Sequence, residues 1–252
     1  MMSDLRQADR PLTAEDAFAE NRLLSTFPSE LRRLLDGRTT MVELDLGATV
    51  LRRGVDVDSS LFPFGPTMIS LVVDLDDGRS VEVASIGREG AVGGIVSCGH
   101  APAFARAEVL VGGPALRVGM QALEDAKARS GHIRNLFCRF SDYLLAQVMQ
   151  SAACNSFHTI EQRAARWLLT ASDRAAGRIE LTQEGLAGLL GVQRTTVNAV
   201  IRILQDEGLI STRRGAIQVA DRAGLKRRAC ECYEAVEKHF FETIGSSGSG
   251  GG

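Results

Sequence analysis

Residues 181–208, LTQEGLAGLLGVQRTTVNAVIRILQDEG, constrain the fold of this chain more than any other stretch. Thr182 is a good helix N-cap, and Gly191 interrupts an apolar helical pattern as a glycine does just after a helix C-terminus. A second amphipathic pattern follows, with apolar residues at helical spacing at Val197, Val200, Ile201 and Leu204. The stretch therefore predicts two short helices joined by a tight turn.

The outward face of the second predicted helix is polar near its start. The side chains off its apolar stripe are Gln193, Arg194, Thr195, Thr196, Asn198 and Arg202. Two helices with a tight turn and such a face form the helix-turn-helix layout, in which the second helix enters the major groove of DNA. An ordinary helical hairpin with a solvated outer face would show the same pattern, so this stretch alone leaves both interpretations open.

The residues after these helices favour DNA binding. Two short β-prone runs, 209–212 and 216–219, flank an Arg-Arg-Gly turn, which predicts a small hairpin with arginines at its tip. Such a hairpin is the wing of a winged helix, where arginines reach phosphates while the helix reads bases. The predicted DNA-contacting residues are Thr182, Gln193, Arg194, Thr195, Thr196, Asn198, Arg202, Arg213 and Arg214.

Composition narrows the class of protein. A chain of 252 residues with 44% hydrophobic content suggests one or two packed domains. No apolar run of about 18 residues and no leader pattern occurs, so we expect a cytoplasmic protein without a membrane partner. The net charge of −2 predicts modest non-specific DNA binding, although residues 158–244 carry 13 Lys and Arg against 11 Asp and Glu. The Gly/Ser run 246–252 is interpreted as a linker outside the fold.

The first half of the chain, residues 14–119, predicts a β-domain preceded by helices. Pro28 divides a helical pattern over 14–35 into two short helices. Asp76-Asp77-Gly78 is a hairpin turn signal. Strand-like pieces lie at 41–46, 49–51, 68–75, 80–86, 105–111 and 115–118. Many short strands at short spacing predict a small antiparallel barrel or sandwich.

A Gly-rich segment, 86–94, is the candidate effector site within this domain. Its backbone N–H groups could hold an anion, or its glycines could simply form a tight corner, and the spacing leaves both open. Arg106 could face such a pocket, but a surface ion pair with Glu89 or Glu108 is the better interpretation. The candidate effector residues are Glu89, Gly90, Ala91, Val92, Gly93 and Arg106.

Residues 120–152 predict one long helix, followed by a hinge at 152–157. Ile133, Phe137, Phe140 and Leu144 recur at heptad spacing, which is typical of a helix that pairs with a partner helix. Packing against the chain's own β-domain is the alternative. We predict a homodimer through these four residues, because a winged helix usually works in pairs on two-fold sites.

The C-terminal part, 158–243, predicts the winged domain, with a helix at 158–176 and a last helix at 221–243. The five cysteines show no metal-site spacing, and Cys230 and Cys232, two apart on one predicted helix, would point in different directions. We therefore predict no metal and no cofactor, and a redox-sensing cysteine stays an open alternative. The scattered histidines, including His158, are interpreted as surface or structural residues. No catalytic set is present, which argues against an enzyme.

The order of these parts resembles the Crp-Fnr family of bacterial transcription regulators, over about residues 24–240. The most specific stretches are 86–94 and 181–215. The resemblance implies an α+β chain: an N-terminal β-roll of the cyclic-nucleotide-binding type, a long dimerisation helix and a C-terminal winged helix-turn-helix. It also implies a cytoplasmic homodimer on a palindromic promoter site, with RNA polymerase as a partner. The alternative is a ligand-binding signalling module whose winged helix contacts protein.

Departures from the family pattern limit what the resemblance implies. Family members that bind cyclic nucleotides carry a Glu and an Arg-Ser pair, but here Ala91 or Val92 takes the Glu position and 99–103 holds no such pair. No cysteine precedes Cys98, so an iron-sulfur cluster is not expected. In the recognition helix Arg194 matches the family, whereas Thr195 and Ala199 replace a Glu and an Arg. The DNA half-site should therefore differ from that of the cyclic-AMP receptor at the bases that those two residues would have read.

Overall fold

The computed structural model describes residues 11–94, 102–174, 178–213 and 215–245. Its N-terminal part begins with α1 (Ala14–Glu20) and α2 (Ser29–Arg32). Thr13 caps α1 in a capping box with Asp16. Single 3-10 turns at Leu24–Thr26 and Arg33–Leu35 complete the region. The predicted break at Pro28 is confirmed, since Pro28 is the residue before α2.

Seven strands form two facing antiparallel sheets. They are β1 (Thr39–Leu44), β2 (Thr49–Leu51), β3 (Ser59–Pro63), β4 (Met68–Asp74), β5 (Ser80–Ile86), β6 (Arg106–Val111) and β7 (Gly113–Gly119). The first sheet has the order β1-β7-β3 and the second β2-β6-β4-β5. The β4–β5 hairpin turns at the predicted position, where Gly78 takes a φ of 83°. The predicted antiparallel sandwich is confirmed.

Among these seven strands, β3 is the one that the sequence did not predict. Its five residues end in Pro63, and a proline weakens a strand signal because it donates no ladder hydrogen bond. Phe62 within it is nevertheless fully buried, and the strand pairs with β7. Burial against the rest of the domain, which periodicity does not report, decides the structure here.

Two helices replace the single long helix predicted over 120–152. They are α3 (Met120–Arg129) and α4 (Gly131–Phe157). Ser130 takes an extended conformation between them, and its Oγ accepts a hydrogen bond from the Ile133 N–H at 3.2 Å. Serine favours this capping position, so it begins a new helix rather than continuing the old one. The predicted hinge at 152–157 is also wrong, because α4 continues through Phe157.

The predicted dimer residues face the chain's own β-domain. Ile133, Phe137 and Phe140 are at most 2% exposed and pack with Phe62 and other sheet residues. Leu144 packs at the edge of the second sheet's core. The heptad pattern was therefore the signature of intramolecular packing, and its assignment to a dimer interface was wrong. This is the alternative that the sequence left open.

The C-terminal domain is a winged helix. It contains α5 (Ile160–Arg174), β8 (Arg178–Ile179), α6 (Gln183–Leu190), α7 (Arg194–Asp206), β9 (Ile210–Arg213), β10 (Ala216–Val219), α8 (Arg222–Arg228) and α9 (Cys232–Phe240). A π-helical turn, Phe241–Gly245, follows α9. Trp167 lies in the core of this domain, as predicted. Its strands form a third sheet in the order β8-β10-β9.

The predicted last helix at 221–243 is divided into α8 and α9 by a turn at residues 229–231. Leu225, Cys232 and Phe240 point inward as predicted, but Phe240 packs against Tyr143 of α4 instead of the winged domain's core. The turn also changes the direction of the chain between Cys230 and Cys232. The expectation that these two thiols diverge on one helix was therefore wrong.

The winged domain packs on the outer face of the second sheet. Met68 of β4 and Leu110 of β6 belong to the same apolar cluster as the buried residues of α5, α6 and α7. Two side-chain hydrogen bonds to carboxylates stabilise this junction. Trp167 Nε1 donates to Glu82 Oε1 at 2.8 Å, and Arg174 Nη2 donates to Glu89 Oε1 at 2.5 Å. Both faces of the second sheet are thus covered.

Candidate nucleic-acid interface

The helix-turn-helix is built by two local signals that the sequence contains. Thr182 Oγ1 accepts a hydrogen bond from the Gly185 N–H at 3.0 Å and so begins α6. Gly191 ends α6 in the left-handed conformation, with φ 67° and ψ 37°. Its N–H and that of Val192 satisfy carbonyls of the last turn of α6. The turn between α6 and α7 is fixed by these caps.

Helix α7 divides into a buried and an exposed face. Val197, Val200, Ile201 and Leu204 are buried in the winged domain's core, as predicted. Because these residues hold one side of α7, the opposite side has a defined direction. It carries the exposed residues Arg194, Thr195, Thr196, Asn198 and Arg202, with Gln193 exposed at the N-cap. Six predicted residues thus share one exposed surface.

The charged groups on this surface are only loosely paired. Arg194 Nη1 lies 3.5 Å from Glu184 Oε2, and both side chains are more than half exposed. Arg202 Nε lies 3.9 Å from Asp206 Oδ2, one helical turn further on. Exposed pairs of this kind contribute about 0–1 kcal/mol, so either arginine can leave its carboxylate for another acceptor. Sequence reasoning did not identify Glu184 as the neighbour of Arg194.

The wing follows α7 directly and is tied to it. Strands β9 and β10 pair antiparallel, and Gly215 in the turn has a φ of 78°. Gln205 Nε2 of α7 donates a hydrogen bond to Thr212 Oγ1 of β9 at 3.0 Å, which links the wing to the helix. Arg213 is exposed at the end of β9. Arg214 lies outside the described residues.

A groove lies between the start of the helix pair and the wing. Its lining includes Thr182, Glu184 and Arg194 from the helix pair, and Arg213 and Gly215 from the wing. Its volume is about 480 Å³. The first turn of α6 opens into it, and helix N-termini attract anions because their N–H groups are unpaired there. The groove therefore combines two arginines and a helix N-terminus with one exposed carboxylate, Glu184, and the two cations and the N-terminus suit a phosphate backbone.

In the Gly-rich segment, by contrast, backbone N–H groups that could hold an anion are already paired. The N–H groups of Gly90 and Val92 donate to Gly87 and Leu61 carbonyls, at 3.2 and 2.8 Å. A Cβ on Gly90 would clash with the Phe140 ring, so this glycine is needed for close packing against α4. The structure thus favours the tight-corner interpretation.

Two of the candidate effector residues are engaged elsewhere. Glu89 is buried and paired with Arg174, so its assignment to an effector pocket was wrong. Arg106 forms ion pairs with Glu108 and with Asp74, whose Oδ2 lies 3.0 Å from its Nε. The surface pair with Glu108 was the predicted role of Arg106, and it is confirmed.

Ala91, Val92 and Gly93 do line a cavity, of about 350 Å³. The other described residues of its lining are also apolar or small, among them Leu51, Leu71, Ile86, Phe104 and Leu144. Apolar lining without charged groups does not suit a cyclic nucleotide phosphate. Residues 95–101, which neighbour this cavity in sequence, lie outside the described part of the chain.

Comparisons with known proteins agree with this geometry. A Crp-like helix-turn-helix domain matches residues 162–228. FixK2 from Bradyrhizobium japonicum has the same fold, with a TM-score of 0.64 at 17% identity, over 76% of this chain and 98% of FixK2. A CRP/FNR family transcriptional regulator of Thermus thermophilus gives 0.62 at 20%, over 75% and 98%. The match thus assigns residues 162–228 to the Crp-like helix-turn-helix domains, and the chain as a whole shares the fold of these two solved structures.

A curated relative matches a shorter part of the chain. The HTH-type transcriptional regulator Cmr of Mycobacterium tuberculosis is 38% identical over 52 residues. That match spans 21% of this chain and 21% of Cmr, so it concerns a single segment of each protein. Among the residues that the structure describes, no helix has the length and apolar character needed to cross a membrane.

Proposed function

We propose that this protein is a DNA-binding transcription regulator of the Crp-Fnr type that acts as a homodimer on a palindromic promoter site. The observation that carries the proposal is the exposed polar face of α7, with Arg194 in its first turn and Arg213 across the groove. A guanidinium in the first turn of a recognition helix is suited to two hydrogen bonds with O6 and N7 of a guanine. Arginine at a wing is suited to phosphates.

The experiment is selection of bound fragments from sheared genomic DNA by the purified full chain, followed by footprinting of the best site. A symmetric footprint with two half-sites about one helical turn apart supports the proposal. Binding that is equal on all fragments, or absent at low salt, contradicts it. If DNA is not bound and the same face captures a protein, the alternative of a signalling module takes its place.

An exposed row of residues on α4 supports the homodimer. With the predicted seam buried, a second heptad pattern remains on the outer side of the helix. We name this row the α4 seam: Cys138, Ser141, Leu145, Val148 and Ala152. Leu145 is 53% and Val148 36% exposed. Steps of three and four residues keep these side chains on one side of α4, as a partner helix requires. A two-fold pair would present two α7 helices to two half-sites.

The α4 seam is tested by the change Leu145→Glu, which places charge in the proposed contact. Light scattering should then give monomers and the footprint should disappear. Leu46→Glu is the matched control, since Leu46 is 54% exposed in the turn after β1 and should leave the dimer intact. A wild-type chain that is monomeric at micromolar concentration contradicts the dimer. Phe140→Glu is unsuitable here, because Phe140 is buried within the chain.

The effector, if the protein uses one, is not cyclic AMP in this proposal. The missing Glu and Arg-Ser pair each remove charge-assisted contacts of about 1.5–3 kcal/mol, which together weaken binding at least about a hundredfold. An apolar ligand suits the described lining better. Calorimetry with cyclic AMP should show no binding at micromolar concentration. The cytoplasmic location and the RNA polymerase partner rest on the family alone.

A further inference from the structure

Four side chains with metal-binding atoms meet where α4 joins the winged domain. They are Cys154 near the end of α4, His158 just after it, and Cys230 and Cys232 at the α8–α9 turn. Their sulfur and nitrogen atoms all lie within 4.8 Å of one another. Cys154 Sγ lies 3.5 Å from Cys230 Sγ, and Cys232 Sγ lies 3.4 Å from His158 Nδ1.

The fold brings these groups together by two separate local devices. Cys154 and His158 are four residues apart across the end of α4, and residues at this spacing share a helix face. The turn at 229–231 then redirects the chain, with the Tyr233 N–H donating to the Cys230 carbonyl at 3.2 Å. Because of this turn, Cys230 and Cys232 point to one place although only one residue separates them.

The distances fit a single tetrahedral zinc ion. Zinc bonds of about 2.3 Å to sulfur and about 2.0–2.1 Å to nitrogen place neighbouring ligand atoms roughly 3.5–3.8 Å apart. Two of the six separations, 3.5 and 3.4 Å, are close to those values, and all six lie within 4.8 Å, so a bound ion would draw the ligand atoms together by about 1 Å at most. Three thiolates and one imidazole are a ligand set that selects zinc over magnesium or calcium. An iron-sulfur cluster requires ligands on different irons, which this tight grouping does not offer.

The groups around the four ligands have the arrangement of a metal site. His158 Nε2 lies 3.3 Å from Glu231 Oε1, so the carboxylate can fix the ring with its Nδ1 toward the sulfurs. Metal-binding histidines commonly have such a carboxylate partner. Gln150 Nε2 donates a hydrogen bond to Cys232 Sγ at 3.0 Å. Simple core packing of cysteines explains neither contact.

The local charge also suits bound thiolates. Three thiolates, one neutral imidazole and a zinc ion leave a net charge of −1, because each cysteine releases its proton on binding. Arg163 and Arg166 lie near enough for their charges to act on these thiols. The buried Nε atoms of both arginines have no hydrogen-bond partner among the described residues. These cations balance the extra negative charge.

We propose that Cys154, His158, Cys230 and Cys232 form a closed structural zinc site. The three cysteines are at most 5% exposed, so four protein ligands fill the coordination sphere and no position is open for substrate. The site joins the end of α4 to the turn before α9, and so fixes the winged domain on the helix that carries the α4 seam. This proposal is independent of DNA binding.

The test is the metal content of the full chain, purified under reducing conditions without chelator. Mass spectrometry of the elements should find about one zinc per chain. Cobalt substituted for zinc should give the intense visible bands of a tetrahedral site and the charge-transfer bands of thiolate ligands. Cys230→Ser and His158→Asn should each lose zinc, and His158→Asn should also change the cobalt spectrum. His132→Asn is the matched control for His158→Asn, because His132 is exposed and lies outside both the cluster and the α4 seam.

Three outcomes overturn the proposal. The first is wild-type chain that keeps far less than one zinc after refolding with zinc and dialysis. The second is a loss of zinc in His132→Asn equal to that in His158→Asn. The third is a disulfide between Cys154 and Cys230, which peptide mapping without reductant would detect and which would indicate a redox role instead. Wild-type metal content decides the matter even if a variant does not fold.

Discussion

The polar face of α7 and the junction between the winged domain and the second sheet use the same residue types in opposite ways. At this face, Arg194 of α7 and Glu184 of α6 are 3.5 Å apart and 64% and 72% exposed. At the junction, Arg174 and Glu89 are 2.5 Å apart and each 7% exposed. The first arginine is free to exchange partners, whereas the second cannot lose its partner without leaving a buried charge. Exposure, not residue type, separates a binding group from a structural one.

The largest effect is expected from breaking the junction pair. Glu89→Ala leaves the Arg174 guanidinium buried with only the Ser85 hydroxyl, at 2.7 Å, as a hydrogen-bond partner among the described contacts. Removing one partner of a buried pair costs about 3–5 kcal/mol. Urea unfolding should show this loss. The probe is the fluorescence of Trp167, which is the single tryptophan and lies at the same junction.

The double variant Glu89→Leu with Arg174→Met sharpens this test. It removes both charges and keeps apolar volume, so most of the lost stability should return. Arg79→Ala is the control, since Arg79 pairs with Asp77 on an exposed turn. If Glu89→Ala unfolds at the same urea concentration as wild type, the junction pair does not hold the domains together.

Removing the exposed arginine of α7 should have a smaller effect, and on DNA affinity instead of stability. Arg194→Ala should leave the urea midpoint within experimental error, because its side chain is 64% exposed. Its DNA affinity should fall by about 1–3 kcal/mol on the best site, with relaxed preference at one G·C pair in each half-site. Titrations on single-base variants of that site measure both effects. Equal losses on every sequence would show that Arg194 touches phosphate only, and base reading would pass to Thr195 and Asn198.

The two regions also differ in how far the sequence predicts them. The α7 face follows from local rules: a cap at Thr182, a glycine at 191 and a 3.6-residue apolar period, all within thirty residues. The junction joins Glu82 and Glu89 to residues 85 positions later, and no local pattern reports such a pairing. No local pattern reports the cysteine cluster either, since Cys154 and Cys230 are 76 positions apart in the sequence.

The heptad on α4 shows a second limit of sequence reasoning. An apolar stripe predicts that one helix face is covered but not what covers it. Ile133 and Phe137 are covered by the chain's own sheet, and the face available to a partner is the weaker row through Leu145 and Val148. Only the position of the β-domain decides between the two rows.

A third prediction concerns the hydrogen bond between Trp167 and Glu82 at the junction, and how stability depends on pH there. Burial raises the pKa of Glu82 above its ordinary value of 4.5, although hydrogen bonds from Ser70 and Trp167 oppose the shift. Between the ordinary and the raised value the folded chain binds more protons than the unfolded chain, so stability falls as pH rises through that window. Glu82→Gln removes this contribution and should flatten the dependence of the urea midpoint on pH in the window just above 4.5. Glu43→Gln, on exposed β1 surface, should leave the wild-type slope unchanged.

The smallest effect is expected at the wing, where contact with DNA is made by charge alone. Arg213 is exposed at the end of β9 and faces the groove opposite Arg194. Arg213→Ala should weaken binding to all sequences alike, by about 1 kcal/mol or less, because an exposed guanidinium gains little from one phosphate. The slope of log affinity against log salt should become shallower by about one unit per protomer, since one fewer counterion is released. Titrations at several salt concentrations, on the best site and on its single-base variants, separate this behaviour from that of Arg194→Ala. A loss confined to one base pair, with the salt slope unchanged, would mean that Arg213 reads bases and that the wing lies in a groove of the DNA.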